Sequence, residues 1–291
     1  MANLKEIRNR ISSVSSTMQI TSAMKMVSAA KLKKAQDAIT AMRPYSDKLT
    51  ELLQSLSATM EGEAGSKFAE QREVERALVV AITSNRGLAG AFNSNIIKEL
   101  TRLNQNELKG VAVSYMAIGK KANDFVSKQS PVQSNKSELF DDISYDNVAV
   151  IAEELMELYV TGEFDKIVIV YNSFKNAATQ VVMTEDFLPL KPVAKDEDAI
   201  QAEKELDYIF EPSKEKIIEE LIPKSLKMQL YKGVRDSWAS EHGARMTAMH
   251  KATDNATELR DQLKLTYNKA RQAAITNEIL EIVGGAEALN N

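Results

Sequence analysis

The sequence predicts an α/β domain with a mostly parallel sheet, carried with two terminal helices that pair as a long antiparallel coiled coil. Three observations predict it. Apolar residues recur every three or four positions over both ends of the chain, short β-branched runs alternate with helical patterns in the middle, and charge separates along the same lines.

The N-terminal helix comes first. From Leu4 the 3–4 spacing runs through Ile7, Ile11, Val14, Met18, Thr21, Lys25, Ser28, Leu32, Ala35, Ile39 and Met42, with no Gly or Pro before Pro44. Nine of these twelve positions are apolar, which is a coiled-coil seam rather than the wider stripe of a globular helix. The apolar character fails at Thr21, Lys25 and Ser28, where Ile20, Ala23, Met24, Met26 and Val27 lie on another side of the helix. Two readings of that stretch stand: a local break in register, or a face turned to a second partner.

The middle reads as alternating strands and helices. Ala77–Ser84, Val111–Ile118, Lys166–Tyr171 and Gln180–Thr184 are short apolar runs, with Leu206–Phe210 as a possible fifth strand. Helical patterns fall at about 93–104, 119–128 and 146–161, so the sheet is expected to be Rossmann-like. The stretches 61–71 and 194–205 read as a loop and a polar linker at domain joints.

The C-terminal helix closes the chain. Val234, Trp238, Glu241, Arg245, Met249, Ala252, Ala256, Leu259, Leu263, Thr266, Ala270 and Ala273 recur at 3–4 spacing, and Gly284–Gly285 reads as a stop. Sixty helical residues span roughly 90 Å, too long to bury in a domain of this size. The helix is expected to overhang its shorter partner near residues 270–285, where Ala273, Ile275, Ile279, Leu280 and Val283 occupy several faces and call for an enclosing protein wall. The expected division is 1–60 for the N-terminal helix, 72–210 for the α/β domain, 211–285 for the C-terminal helix and 286–291 for a tail.

Composition narrows the chemistry. With no cysteine in 291 residues, disulfides, thiolate metal sites and a cysteine nucleophile are excluded. No run of about 18 apolar residues suggests a membrane span, and the start has no signal-like apolar region, so an intracellular chain is expected. Residues 1–50 carry nine bases against three acids, a net +6, and residues 224–284 carry ten against seven, a net +3. The whole chain is −4, which leaves −13 for the rest, so two basic ends flank an acidic middle.

Candidate sites are few. The loop Ser84–Asn95 follows the first strand, where a dinucleotide loop would sit, but only Gly87 and Gly90 are present; G-x-G-x-x-G is unmet and no Walker sequence occurs. His242 and His250 are eight residues apart without the spacing of a metal pair, and read as exposed helix surface. Lys31, Lys33 and Lys34 form the one dense basic cluster, with few aromatics beside it for nucleic-acid stacking. No catalytic, cofactor or metal residue is expected.

Four segments carry a family resemblance: Met18–Lys34, MQITSAMKMVSAAKLKK; SNRGLAGAFNSN at 84–95; YIFEPS at 208–213; and Ala239–Leu289, from ASEHGARMTAMHKATDNATELRD to EILEIVGGAEAL. Together, and in this order, they resemble the gamma subunits of F-type ATP synthases, and the absence of a transit peptide points to a bacterial member. The resemblance implies a non-catalytic rotor shaft without cofactors. Its partners would be the alpha and beta subunits of a catalytic hexamer, the epsilon subunit and the membrane c-ring. It would sit peripherally at the cytoplasmic face of the cell membrane, touching the membrane only through the complex, with no nucleic acid. Met24, Arg271, Gln272 and Thr276 match positions facing beta subunits, and Tyr208 and Glu211 match the foot facing the ring and epsilon. The sequence departs from the usual S-D-R-G-L-C-G at Asn85 and Ala89, and Trp238 and Gly243 are uncommon in their block; the cysteine insert of chloroplast relatives is absent. The alternative is a small α/β ligand-binding or enzyme domain with a coiled-coil oligomerisation arm.

Overall fold

The computed structural model describes residues 4–58, 66–190 and 214–289. The possible strand Leu206–Phe210, the polar linker 194–205, Tyr208 and Glu211 lie outside them. The chain divides into two compact units, one joining residues up to Ala29 with those from Arg245 onward, the other spanning Ala30–Ala244. Two long helices, α1 (Leu4–Ala58) and α6 (Lys214–Leu289), contribute to both.

The larger unit is a three-layer α/β structure. Its sheet holds β1 (Arg76–Ile82), β2 (Ala112–Ile118), β3 (Val132–Asn135), β4 (Lys166–Phe174) and β5 (Gln180–Leu188) in the order β3-β2-β1-β4-β5. All neighbours run parallel except β4 and β5, which form an antiparallel hairpin. Four of the expected strands are present. The short edge strand β3 is not among them, because its sequence, VQSN, has neither an apolar run nor β-branched density.

Strand alternation explains the layers. Leu78, Val80 and Ile82 of β1 face one side with Met116, Ile118, Ile167 and Ile169. Ala77, Val79 and Ala81 face the other with Tyr115, Ala117, Val168 and Val170. Covered on both faces, the central strands read as continuous apolar runs. Helix α3 (Phe92–Gln105) covers the second face through Ile96, Leu100 and Leu103, beside Ala122 and Val126 of α4 (Lys120–Val126). Helix α5 (Tyr145–Val160) covers the first, burying Val148, Ile151, Ala152, Leu155, Met156 and Tyr159 at helical spacing. Ser144 caps it, its hydroxyl accepting from the Asn147 amide at 3.3 Å. Ile222, Leu226, Leu230 and Val234 of α6 pack on the same face.

Within this unit α1 also meets α6: Met42 and Leu49 cluster with Met228, flanked by Leu221, Tyr231 and Tyr145. Before β1, the short helix α2 (Ser66–Ala69) is followed by Arg72, whose guanidinium lies 5.4 Å from the centre of the Tyr159 ring. Gly119, at φ +116°, lets the β2–α4 turn meet the β1–α3 turn, since a Cβ there would lie 2.2 Å from the Thr83 carbonyl oxygen.

In the smaller unit the helices run antiparallel. Arg8 pairs with Tyr267, Met18 with Arg260 and Thr21 with Thr253, so the partner number falls as α1 ascends. Every seam position expected in α1 from Leu4 to Met42 is buried or half-buried, including Thr21, Lys25 and Ser28. The seam therefore keeps its register where its residues turn polar.

In α6 the expected seam needs correction. Leu259 is 47% exposed and Thr266 is exposed, while Arg260 and Tyr267 are half-buried in their place. The long stems of Arg260 and Tyr267 cover the partner helix with their polar ends in contact with Met18 and Arg8. Nor does α6 stop at Gly284–Gly285; it continues to Leu289.

Two glycines of α6 give a contrast in stability. At Gly233 a Cβ would sit 3.5 Å from the Tyr171 ring, an ordinary contact; at Gly243 it would sit 3.2 Å from Ala177 Cα in the β4–β5 turn. Gly233→Ala should therefore realise most of the roughly 1 kcal/mol helix preference of alanine. Gly243→Ala should lose that gain to crowding, and urea unfolding of the two purified variants will rank them.

Candidate functional site

In an open α/β sheet of this topology, a ligand crevice lies outside the carboxyl ends of the strands where the order reverses, here between β1 and β4. That crevice is filled by the chain itself. Asn172, near the end of β4, donates through Nδ2 to the Phe92 carbonyl at 3.2 Å, and the Ser240 hydroxyl of α6 donates to the Asn172 carbonyl at 3.0 Å. Ser173 donates to the Asp236 carboxylate at 3.0 Å. Ala89, Phe92 and Ala244 close an apolar cluster beside them. Burial pushes the Asp236 carboxyl above its ordinary value, against smaller opposing effects from the Ser173 hydroxyl, Lys232, the Phe174 amide and Arg43.

The loop after β1 is folded on itself rather than open to an anion. The Ser84 hydroxyl donates to the Arg86 carbonyl at 2.6 Å, and the Ser84 amide donates to Asn93 Oδ1 at 3.0 Å. Leu88 holds φ +63° and stands 64% exposed at the tip, followed by Gly90 at φ +58°. Asn85 explains its own departure from the aspartate of the family marker. Its Nδ2 donates to the Ser137 carbonyl at 2.9 Å, while its Oδ1 accepts from the Lys120 amide at 3.0 Å. A carboxylate could do only the second.

The histidine expectation is half right. His250 is exposed and lies 3.3 Å from Asp254, but His242 is buried, with its ring 5.0 Å from that of Trp238 in an edge-on contact. Among the described residues no group of three or more His, Asp or Glu is arranged to hold a metal, and no helix is long and apolar enough to cross a membrane.

What the chain does present is helix surface. Where the α1 seam is polar, the apolar residues lie outside it: Ile20, Met26 and Val27 are 57–63% exposed, Ala23 is exposed and Met24 is half-buried. The pairing of Arg8 with Tyr267 brings Leu4 level with about Ala270, which is half-buried. Every residue from Arg271 to Ala286 is exposed, among them Ile275, Ile279, Leu280, Ile282 and Val283. Of the expected contact residues, Arg271, Gln272 and Thr276 lie on this unpaired stretch, and Arg271 makes no ion pair among the described residues. Lys31, Lys33 and Lys34 are exposed on α1, with Lys33 2.8 Å from Asp37. Leu265 is exposed outside the seam, and Leu88 is exposed at a positive φ that the sequence does not reveal.

Fold and site together define a helix-presenting α/β protein whose own ligand crevice is closed by the chain. The ATP synthase family model matches residues 3–289. ATP synthase gamma chains from Flavobacterium psychrophilum and Cytophaga hutchinsonii are 70% and 53% identical, over 99% and 100% of both chains respectively. Among solved structures, a chain of the Euglena gracilis mitochondrial ATP synthase, in its OSCP/F1/c-ring form, superposes with a TM-score of 0.69 at 23% identity, covering 98% of this chain and 94% of that one. A chain of the Tetrahymena thermophila central stalk and c-ring superposes at 0.56 with 25% identity, covering 80% and 99%. The chain belongs to the ATP synthase family as a gamma chain, a non-catalytic subunit of the central stalk.

Two outcomes follow from these contacts. Asn85→Asp removes the donor to Ser137 and adds a charge, and should cost about 1–3 kcal/mol in chemical unfolding. For Asp236 the folded pKa is raised above the ordinary 3.8, so its contribution to stability is full below that value and is lost as pH rises through the folded one. Measured against Asp236→Asn, the native chain should lose relative stability as pH rises past the ordinary 3.8 toward the raised folded value.

Proposed function

We propose that this chain is the turning shaft of its ATP synthase. Ion flow through a membrane ring of c subunits rotates it, and its changing side chains drive beta subunits of a surrounding alpha–beta hexamer between nucleotide affinities. The observation that carries this reading is the helix end from Arg271 to Ala286, exposed and apolar on several faces, which water alone does not stabilise. In this reading residues 1–60 and 211–285 make the shaft, 72–210 make the foot and 286–291 a tail. The assembly works at the cytoplasmic face of the cell membrane, with this chain peripheral to it and reaching it through the c-ring and epsilon.

The mechanism is differential contact. An asymmetric helix pair offers each beta subunit a different surface at each angle, and a subunit with discrete open and closed packings shifts between them according to which surface it meets. Met24 belongs to the lower contact with beta, on the stretch where Ile20, Met26 and Val27 also face outward. Arg271, Gln272 and Thr276 belong to a second beta contact, where the arginine forms bidentate, charge-assisted bonds with a carboxylate. Tyr208 and Glu211 serve the foot against polar loops of the ring and epsilon. The basic ends of the chain suit acidic partner loops.

The complex isolated through this chain from detergent-solubilised membranes should contain one copy of it with two kinds of larger nucleotide-binding subunit, and should hydrolyse ATP. Arg271→Glu should leave that assembly intact while lowering ATP synthesis in energised vesicles by roughly tenfold or more. Normal synthesis by the variant removes the role assigned to Arg271. Isolation of a homodimer without those partners removes the shaft reading altogether.

A further inference from the structure

We infer that the polar contacts between the end of β4 and one face of α6 form the joint that locks the long helix to the sheet in rotation, so that torque passes between them. The inference rests on the shaft reading above and names the place in the foot where the load crosses.

Its geometry is directional. Asp236 and Ser240 are four residues apart, hence on one face of α6, and they grip adjacent strand residues: Ser173 donates to Asp236 and Ser240 donates to the Asn172 carbonyl, both at 3.0 Å. Asn172 extends the connection through its Nδ2 to the Phe92 carbonyl at the start of α3. Nearly one turn beyond Ser240, Gly243 brings the helix backbone against Ala177 in the β4–β5 turn. Strand end, hairpin turn and α3 thus hold a short stretch of one helix.

Such a joint differs in kind from the apolar packing beside it. Leu226, Leu230 and Val234 hold α6 to the sheet through non-directional burial, which resists separation more than rotation. Hydrogen bonds weaken steeply with angle and distance. A turn of roughly 20° about the helix axis moves a side-chain tip about 5 Å from that axis by nearly 2 Å, enough to break them.

Stability does not account for the polar residues. Asn172 and Ser240 are wholly buried, and Asn172 Oδ1 and the neighbouring Ser237 Oγ have no hydrogen-bond partner among the described residues. Apolar residues of similar volume would avoid that desolvation. What the polar set supplies is a fixed azimuth for α6, placed in the crevice that comparable sheets leave open for ligands.

The test uses the assembled complex in inverted membrane vesicles, reading ATP-driven acidification and ATP hydrolysis together. Ser173→Ala/Ser240→Ala removes both serine bonds with little change of volume. Hydrolysis by the complex should persist, while acidification per ATP hydrolysed should fall by roughly threefold or more as the joint yields under load. Val234→Ala, a buried change on the same helix without a hydrogen bond, should destabilise the isolated chain at least as much and leave the ratio unchanged. An unchanged ratio in the double variant overturns the inference, and so does an equal fall in Val234→Ala. Should the double variant fail to assemble, the two single serine variants are read in the same way, and unchanged ratios in both overturn it. An assembled native complex that hydrolyses ATP without driving either protons or sodium ions into the vesicles would instead refute the shaft reading itself.

Discussion

Helix α6 has to meet two incompatible demands, and most of the structure follows from how it does so. Up to Ala244 it completes a globular domain, buried on nearly every side from Gly233 onward. From Met249 it becomes one partner in a two-helix seam, covered along a single stripe through Ala256, Arg260, Leu263, Tyr267 and Ala270. The composition changes accordingly. Serines, glycines and Asp236 dominate where the helix must approach strands and turns closely; alanines and long amphipathic side chains dominate where it meets one other helix.

The filling of the crevice gives physical content to the absence of chemistry in a sheet whose order belongs to nucleotide-binding folds. A dinucleotide site needs glycines that let phosphate approach the backbone, free amides at a helix N-terminus, and open volume at the strand ends. Here the Ser84 amide is taken by Asn93 and Asn85 staples two turns together. The volume between β1 and β4 holds Phe92, Ser240 and Ala244. The sheet has become a handle for a helix.

Much of this was legible in the sequence because it rests on periodicity. Apolar runs located β1, β2, β4 and β5, and the 3–4 spacing located the α1 seam residue by residue. The failures share a cause: they depend on side-chain reach or tertiary covering, which spacing does not encode. β3 is a strand because β2 offers it an edge. Leu259 and Thr266 gave way to Arg260 and Tyr267 because a long polar side chain can cover a seam that hydrophobicity alone would not assign to it. His242 is inside because α6 is buried on nearly every side between Gly233 and Ala244, and the helix runs through Gly284–Gly285 to Leu289. Of the candidate contact residues, Arg271, Gln272 and Thr276 were legible as lying beyond the reach of α1. That required only the two helix lengths and an antiparallel pairing.

The stretch from Ile20 to Ser28 inverts the ordinary logic of a coiled coil. Inside, Thr21 meets Thr253 through a 2.8 Å hydroxyl contact and Ser28 is buried; outside, Ile20, Met26 and Val27 face water. A sequence chosen for stability of the pair alone would exchange the two sets, at a gain of roughly 1 kcal/mol or more for each large side chain moved inward. A register slip would have produced the same sequence pattern, but Leu4 to Met42 hold one register throughout. The hydroxyl pair fixes that register where apolar packing is weakest, as single polar layers do in other coiled coils. It leaves the outer apolar residues exposed, free for the enclosing contact proposed above. In the proposed reading, local stability and partner recognition compete for the same few turns, and the polar seam with an apolar outer face is the compromise between them.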